Sequence, residues 1–400
     1  MAMRNHIKVL LVALGVAGVG GPALADTQWE WRPRVSAMAG YDDNVQIDGA
    51  GGDGFGQIAP GLKLDVFGEH QLRVNFDCQV GLARLQDPNE FGFTSGTIFA
   101  NENCGMTTRV NLSARDKFFF KADATYAQDP FALAGLGLLL RPGQTDIFVG
   151  KLTVEDTHAL SGHTDLNYGL DGAILTFGEG DPGNNYVLAP RVRYEWRTSA
   201  RSKWDLGVRE QLFFGLGAAA NPNGAAAGLL GEGHSALLGY RYELTPWADL
   251  TVRGGPALVT SNTLRANGTA AMPTARLEIN AYTPDYDFVI TVGHDMVIGP
   301  SGGGPEVGDI AEIGGTRRWE HLALHLRIGA YRNASVFDQW SPGSSGYGGE
   351  LGADWHFTRD LSLGVAAERD ARLYDPTVPN GLVDRDVVQV RLTYEKTRFN

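Results

Sequence analysis

The chain alternates apolar and polar residues over runs too long for an ordinary soluble sheet. In "HQLRVNFDCQVGL", Leu72, Val74, Phe76, Cys78, Val80 and Leu82 share one face, and Arg73, Asn75, Asp77 and Gln79 share the other. "DKFFFKADATYA" sets Phe118, Phe120, Ala122, Ala124 and Tyr126 against Lys117, Lys121, Asp123 and Thr125. "LAPRVRYEWR" sets Val192, Tyr194 and Trp196 against Arg191, Arg193, Glu195 and Arg197, and the last segment sets Val388, Val390, Leu392 and Tyr394 against Gln389, Arg391, Thr393 and Glu395. A period of two puts alternate side chains on opposite faces of a strand. These runs last about 10 to 16 residues, where soluble strands average about 5 to 6. A tilted strand crossing a bilayer needs about 9 to 11. One apolar face and one charged face is the pattern of a transmembrane barrel.

Connectors of two kinds alternate along the chain. Tight ones fall near 67–70, 113–116, 157–162, 199–202, 245–247, 283–285, 314–317 and 358–360. Longer ones, richer in Gly, Pro, Asn and Asp, fall near 43–54, 86–95, 128–143, 178–184, 216–233, 260–268, 297–306, 333–344 and 371–384. Short periplasmic turns and long outer loops produce this alternation. The fold expected is all-β, an antiparallel up-and-down transmembrane barrel of about eighteen strands with an aqueous lumen. Lipid offers backbone groups no partner, so the sheet has to close on itself. The tight turns share a motif. "NLSARDKFFFKA", "RTSARSKWDLGV", "YELTPWADLTVR" and "WHFTRDLSLGVA" each place Ser or Thr just before the alternation resumes. Trp29, Trp31, Tyr41, Trp196, Trp204, Trp247, Trp319, Trp355 and Phe357 fall near strand ends, where interface aromatics sit.

The first 25 residues form a separate unit. Arg4 and Lys8 precede the apolar run "VLLVALGVAGVGG", and Ala23-Leu24-Ala25 before Asp26 fits a cleavage site. The expectation is a signal peptide over 1–25, cut between Ala25 and Asp26, with the barrel over 26–400. Export from a Gram-negative cytoplasm then places the chain in the outer membrane as a multi-pass protein. The formal net charge of −12 becomes about −14 once the leader is gone. An acidic chain with scattered arginines lacks the clustered basic face that phosphate contact needs, so no nucleic-acid partner is expected.

The inward faces carry mixed charge. The candidates for contact with a solute are Arg191, Arg193, Arg197, Arg209, Arg241, Arg276, Glu195, Glu243, Glu278 and Asp123. They read either as a hydrated channel wall that tunes selectivity or as ion pairs that stiffen the barrel. Arg191, Arg193 and Arg197 form the most basic stripe and suit an anionic or sugar solute. Cys78 and Cys104 flank the loop "QDPNEFGF", so a hairpin centred there sets them opposite each other. In an oxidising compartment they either bridge or remain two thiols. "PFALAGLGLLLRPG" (130–143) is an apolar connector that could fold inward as a constriction, pack on a partner or extend a strand. No catalytic or cofactor motif emerges. "GEGHS" (231–235) and "SGHTD" (161–165) place His beside Ser without a nucleophile elbow, and "GPSGGGP" lacks the Lys of a phosphate loop. No metal site is expected, since no His/Cys cluster has zinc spacing and the acidic "GYDDNV" stretch does not match a calcium loop. Neither enzyme activity nor a cofactor is expected.

"AMAGYDDNVQ" (37–46), closing the first strand after the leader, resembles outer-membrane β-barrel porin families often associated with exopolysaccharide production. The eighteen-strand format resembles the outer-membrane barrels of myxobacterial-type exopolysaccharide secretion systems. That resemblance implies an outer-membrane passage for a secreted polysaccharide, with a periplasmic polysaccharide-export protein beneath it. The alternatives are a passive porin for small solutes and a plugged structural or adhesive barrel. Partners common to all three are outer-membrane lipid and the barrel assembly machinery. One departure stands out. Phe399 is penultimate and out of phase with Leu392 and Tyr394, which implies an irregular end or a bulge. Intact-mass measurement checks two of these expectations at once. The exported chain should start at Asp26, and it should weigh two hydrogens less without reductant than with it.

Overall fold

The computed structural model describes residues 27–43, 51–86, 99–127, 147–177, 184–216, 227–262, 267–298, 305–335, 338–373, 382–396 and 398–399. The described residues contain strands and no helix. The order is β1 (Gln28–Asp42), β2 (Asp53–Phe67), β3 (Arg73–Leu85), β4 (Phe99–Asn111), β5 (Asp116–Ala127) and β6 (Ile147–Ala159). Next come β7 (Thr164–Phe177), β8 (Asn185–Arg197), β9 (Ser202–Leu216), β10 (Ala227–Thr245), β11 (Ala248–Asn262) and β12 (Asn267–Tyr282). The chain ends with β13 (Tyr286–Ile298), β14 (Pro305–Arg318), β15 (Leu322–Ser335), β16 (Asp338–His356), β17 (Leu361–Leu373), β18 (Leu382–Glu395) and the two-residue β19 (Arg398–Phe399).

Each long strand pairs antiparallel with its neighbours in sequence, and β1 pairs with both β2 and β18. Ala37 therefore sits opposite Ile58 on one side and Leu392 on the other. Eighteen strands close into an up-and-down barrel, as the alternation requires. The side-chain phase follows expectation. Leu324, Leu326 and Ile328 on β15 and Val388, Val390, Leu392 and Tyr394 on β18 are large, apolar and exposed. In water such rows would form an aggregation-prone patch. Against hydrocarbon they match the solvent.

The short turns explain the recurrent Ser/Thr. The hydroxyl of Ser113 accepts the amides of Arg115 and Asp116, both at 3.0 Å. Thr358 accepts those of Asp360 (3.2 Å) and Leu361 (3.0 Å). Ser161 accepts from His163, Ser199 from Arg201 and Thr283 from Tyr286. A hydroxyl two or three residues back thus satisfies amides that a turn takes out of the ladder. The first short turn works differently. His70 and Gln71 have φ of 54° and 56°, and Leu72 donates to the Glu69 carbonyl at 2.9 Å. Two left-handed residues inside one such turn define the primed type that suits hairpin twist and favours Asn-Gly.

Aromatic residues mark the short-turn rim. Trp196 lies opposite Trp204, and the Trp204 and Tyr240 rings are 4.7 Å apart. Trp247, Trp319, Trp355 and Phe357 are exposed at the same end, and Tyr41 is exposed near the other.

Several boundaries differ from the sequence reading. The turn placed at 314–317 lies inside β14, and the chain turns at 319–321. Across the loop placed at 333–344, β15 runs to Ser335 and β16 starts at Asp338. The Ser, Pro and Gly residues of that stretch join the ladder of β16, with irregular register near Ala334. The loop placed at 216–233 ends earlier, because β10 already starts at Ala227. β18 breaks after Glu395, yet β19 resumes against Trp31 and Glu30 with unchanged register, so no bulge intervenes. The apolar connector 130–143 and the cleavage site at Ala25 and Asp26 lie outside the described residues.

The first turn yields a prediction. Replacing His70 by Asn together with Gln71 by Gly should stabilise the barrel by about 1 kcal/mol, read from urea unfolding in detergent.

Candidate functional site: the charged lumen and an inward hairpin

Facing the lumen, arginines and carboxylates lock together across strands. Arg191 on β8 bonds Glu155 on β6 at 2.7 Å and Asp171 on β7 at 2.8 Å. Arg193 bonds Glu195 at 2.8 Å, and Glu195 also takes Lys203 at 3.1 Å. Arg253 on β11 reaches over β10 to bond both oxygens of Asp205 on β9 at 3.0 Å. It can do so because Gly239 stands between them. A Cβ there would lie 2.1 Å from the Asp205 carboxylate. Arg276 bonds Glu278 at 2.8 Å, and Arg241 meets Asp249 at 3.2 Å, beside Glu243. Asp123 pairs with Lys121 at 3.1 Å. Arg197 shares the lumen phase but lies exposed at the short-turn rim, opposite Lys203. The most basic stripe of the sequence is therefore held by acids at Arg191 and Arg193, and Arg197 stands apart from them.

The opposite wall repeats the scheme. Arg34 forks onto Asp77 at 2.5 and 3.2 Å, and Arg32 bonds Asp65. Arg327 bonds Glu312 at 2.8 Å, and His325 stands 3.2 Å from Glu350. Beside the closure of the barrel, Asp42 and Arg385 form a fully buried pair, with Nε–Oδ2 of 2.7 Å. Phe55, Ala83, Leu85 and Val387 cluster near it.

The bore itself is shaped by the outer half of one hairpin. β13 pairs with β12 only up to His294 opposite Ala275, yet it stays paired with β14 as far as Ile298 opposite Pro305. Beyond that split β13 parts from β12 and folds into the lumen with β14, which stays paired with β15 as far as Glu306 opposite Ser335. Arg209 on β9 bonds Asp295 at 2.8 and 2.5 Å, and the Gln211 amide reaches the Met296 carbonyl at 3.4 Å. Three strands separate β9 from β13 around the wall, so these contacts need β13 inside it. Met296 and Val307 turn their outward-phase side chains onto the inner wall. There they bury against Phe213, Leu230, Ala257, Val259 and Met272. Gly233 and Gly231 open the space, since Cβ atoms there would meet Met296 and Pro305. An apolar patch on a lumen wall becomes a docking seat for the hairpin, and water is excluded from it.

Sequence reasoning found the inward arginines and missed Glu155, Asp295 and the apolar seat. A signal existed in "TVGHDMVIG": His294 falls where the outward row of Phe288, Ile290 and Val292 should continue apolar. The two cysteines stand directly opposite on β3 and β4 and are joined by a disulfide, on the phase that faces lipid.

No family model matches the chain, and no curated protein matches it. Solved structures that resemble it include Pseudomonas aeruginosa OpdK with vanillate, at 10% identity and a TM-score of 0.44 over 94% of this chain and 100% of that one. A BenF-like porin from Pseudomonas fluorescens Pf-5 gives 10% identity and 0.46, over 94% and 100%. Pseudomonas aeruginosa OccK2 (OpdF) gives 10% and 0.45, over 94% and 99%. The class rests on the wall itself: a closed sheet, apolar outside and charged within, is a transmembrane β-barrel. It is an eighteen-stranded antiparallel up-and-down barrel and a multi-pass protein of the outer membrane.

The docked hairpin yields a prediction. Met296→Ala should weaken docking by about 2 to 3 kcal/mol, the usual cost of truncating a buried methionine. Faster amide exchange over 305–309, with the rest of the ladder unchanged, would register it.

Proposed function

We propose that the barrel is a passive diffusion channel for small hydrophilic solutes, sorted by size and charge at the level of the inward hairpin. One coincidence carries the reading. The hairpin narrows the bore where arginines and carboxylates of the wall come together. Arg191, Arg193, Arg209, Arg253 and Arg276 share with Glu155, Asp171, Asp205, Glu278 and Asp295 a hollow of about 310 Å³. That volume suits a small molecule. Alternating donors and acceptors can replace part of a solute's hydration shell while it passes.

Passage of a polysaccharide, with an export protein in the periplasm, fits this lumen less well. A polymer strand needs continuous cross-section, and the hairpin occupies part of it. The remaining elements of the reading are export by cleavage between Ala25 and Asp26, and transport without catalysis.

Planar-bilayer recording tests the proposal. Purified protein should give discrete conductance steps. Replacing Arg191 and Arg193 by Gln should shift the anion-to-cation permeability ratio toward cations by about twofold. A silent bilayer would mean a plugged structural barrel. Periplasmic polysaccharide building up in a deletion strain would restore the export reading.

A further inference from the structure

The outward face of β8 to β10 breaks the lipid rule in one place. On β9 the outward row runs Trp204, Leu206, Val208, Glu210, Leu212, Phe214. Trp204 lies opposite Trp196 and Tyr240 at the short-turn rim. Phe214 lies opposite Leu229 and stacks on Tyr186 at 4.7 Å. At ~3.3 Å per residue and a tilt of ~40°, the two aromatic levels are about 25 Å apart, the height of the apolar band. Glu210 falls between them, about 15 Å above the lower level by the same measure. His234 on β10 is directly opposite Glu210, and its Nε2 stands 4.0 Å from Glu232. Among the described residues Glu210 makes no ion pair. The outward row of β5 (Phe118 to Tyr126) carries no charge, and that of β18 carries none from Val388 to Tyr394, while the Asp386 and Asp384 that continue it are both paired with Arg369 at 3.1 Å.

Ionisable groups inside the band are costly unless something other than lipid covers them. The surface around them is also concave. Pro190, Val192, Val208, Ala236, Tyr168 and Leu258 line a hollow of about 850 Å³, and Val192, Val208, Tyr168 and Leu258 are exposed there. Acyl chains can fill such a hollow but offer a carboxylate no hydrogen bond. Lipid phosphates would be repelled by Glu210 and Glu232.

We infer that this face is where a second copy of the chain docks within the membrane. The patch holds both halves of its own complement. Under a twofold axis along the membrane normal, identical patches meet. His234 of one copy then faces Glu210 of the other, and the exposed Tyr168 and Leu258 of each pack into the opposing hollow. Dimerisation is separate from conduction, because the lumen of each barrel stays whole.

Cysteine cross-linking in native outer membranes tests the inference. Ala236→Cys, treated with a short bismaleimide, should give a band at twice the monomer mass. Val390→Cys, on distant β18, should stay monomeric. Cys78 and Cys104 are bonded to each other and do not compete. Adding Glu210→Lys to Ala236→Cys should abolish the dimer band, and the swap Glu210→His with His234→Glu should restore it. Heat-modifiable gel migration verifies that each barrel is folded, and the swap decides if the lysine variant is not. No dimer from Ala236→Cys, equal dimer from both cysteines, or an adduct of a different mass would each overturn the inference. Conductance is read on the same preparations, so a silent channel and a monomeric barrel remain distinct results.

Discussion

A backbone amide in hydrocarbon can bond only to another strand, and the architecture follows from that restriction. It sets the strand length, because the ladder has to persist across the apolar band. It demands closure of β1 onto β18, and it makes an even count natural, with every short turn on one rim. It also limits where the chain can depart from the wall. The β13–β14 hairpin leaves β12 only in its outer half, and its two strands keep each other's hydrogen bonds as it turns inward. The Ser and Thr hydroxyls of the short turns meet the same demand at the membrane edge, where the ladder ends.

Alternation made the wall legible. Phase alone separated lipid face from lumen face on β3, β5, β8 and β18, because a one-residue slip would reverse every side chain. Ser/Thr marked most of the short turns for a local reason that needs no tertiary context. The cysteine pair was legible too, since a hairpin has a centre and both residues are equally far from it. Legibility failed where tertiary contacts overrode local composition. The Gly, Ser and Pro residues at the start of β16 read as a loop, yet β15 holds Pro342 and Ser344 in the sheet. Met296 and Val307 keep the outward phase of their strands, so nothing local reveals that they face the inner wall. The charges Glu232 and His234 were legible as residues, but their address on the lipid face depends on where β10 begins.

The lumen is less a line of free charges than a set of clamps. Arg191, Arg209 and Arg253 each hold carboxylates on other strands. Partly hydrated pairs of this kind contribute modestly to stability, about 0 to 1 kcal/mol each. Their larger effect is geometric. A guanidinium gripped by a carboxylate presents its remaining N–H groups in fixed directions. The lumen wall thus presents an ordered array, and the hairpin bonded through Asp295 brings one more member of that array into the bore.

The disulfide between β3 and β4 bears on how the barrel is built as well as on how it stands. It closes a loop across a hairpin whose two strands are neighbours in the finished wall. Once oxidised, those strands cannot be threaded into the bilayer one after the other. They enter as a single stapled unit, already in register, with the sulfurs leading into lipid. The order of events at the cell surface is thereby constrained: oxidation before insertion makes one early assembly step a two-strand step, and oxidation afterwards has to take place in hydrocarbon.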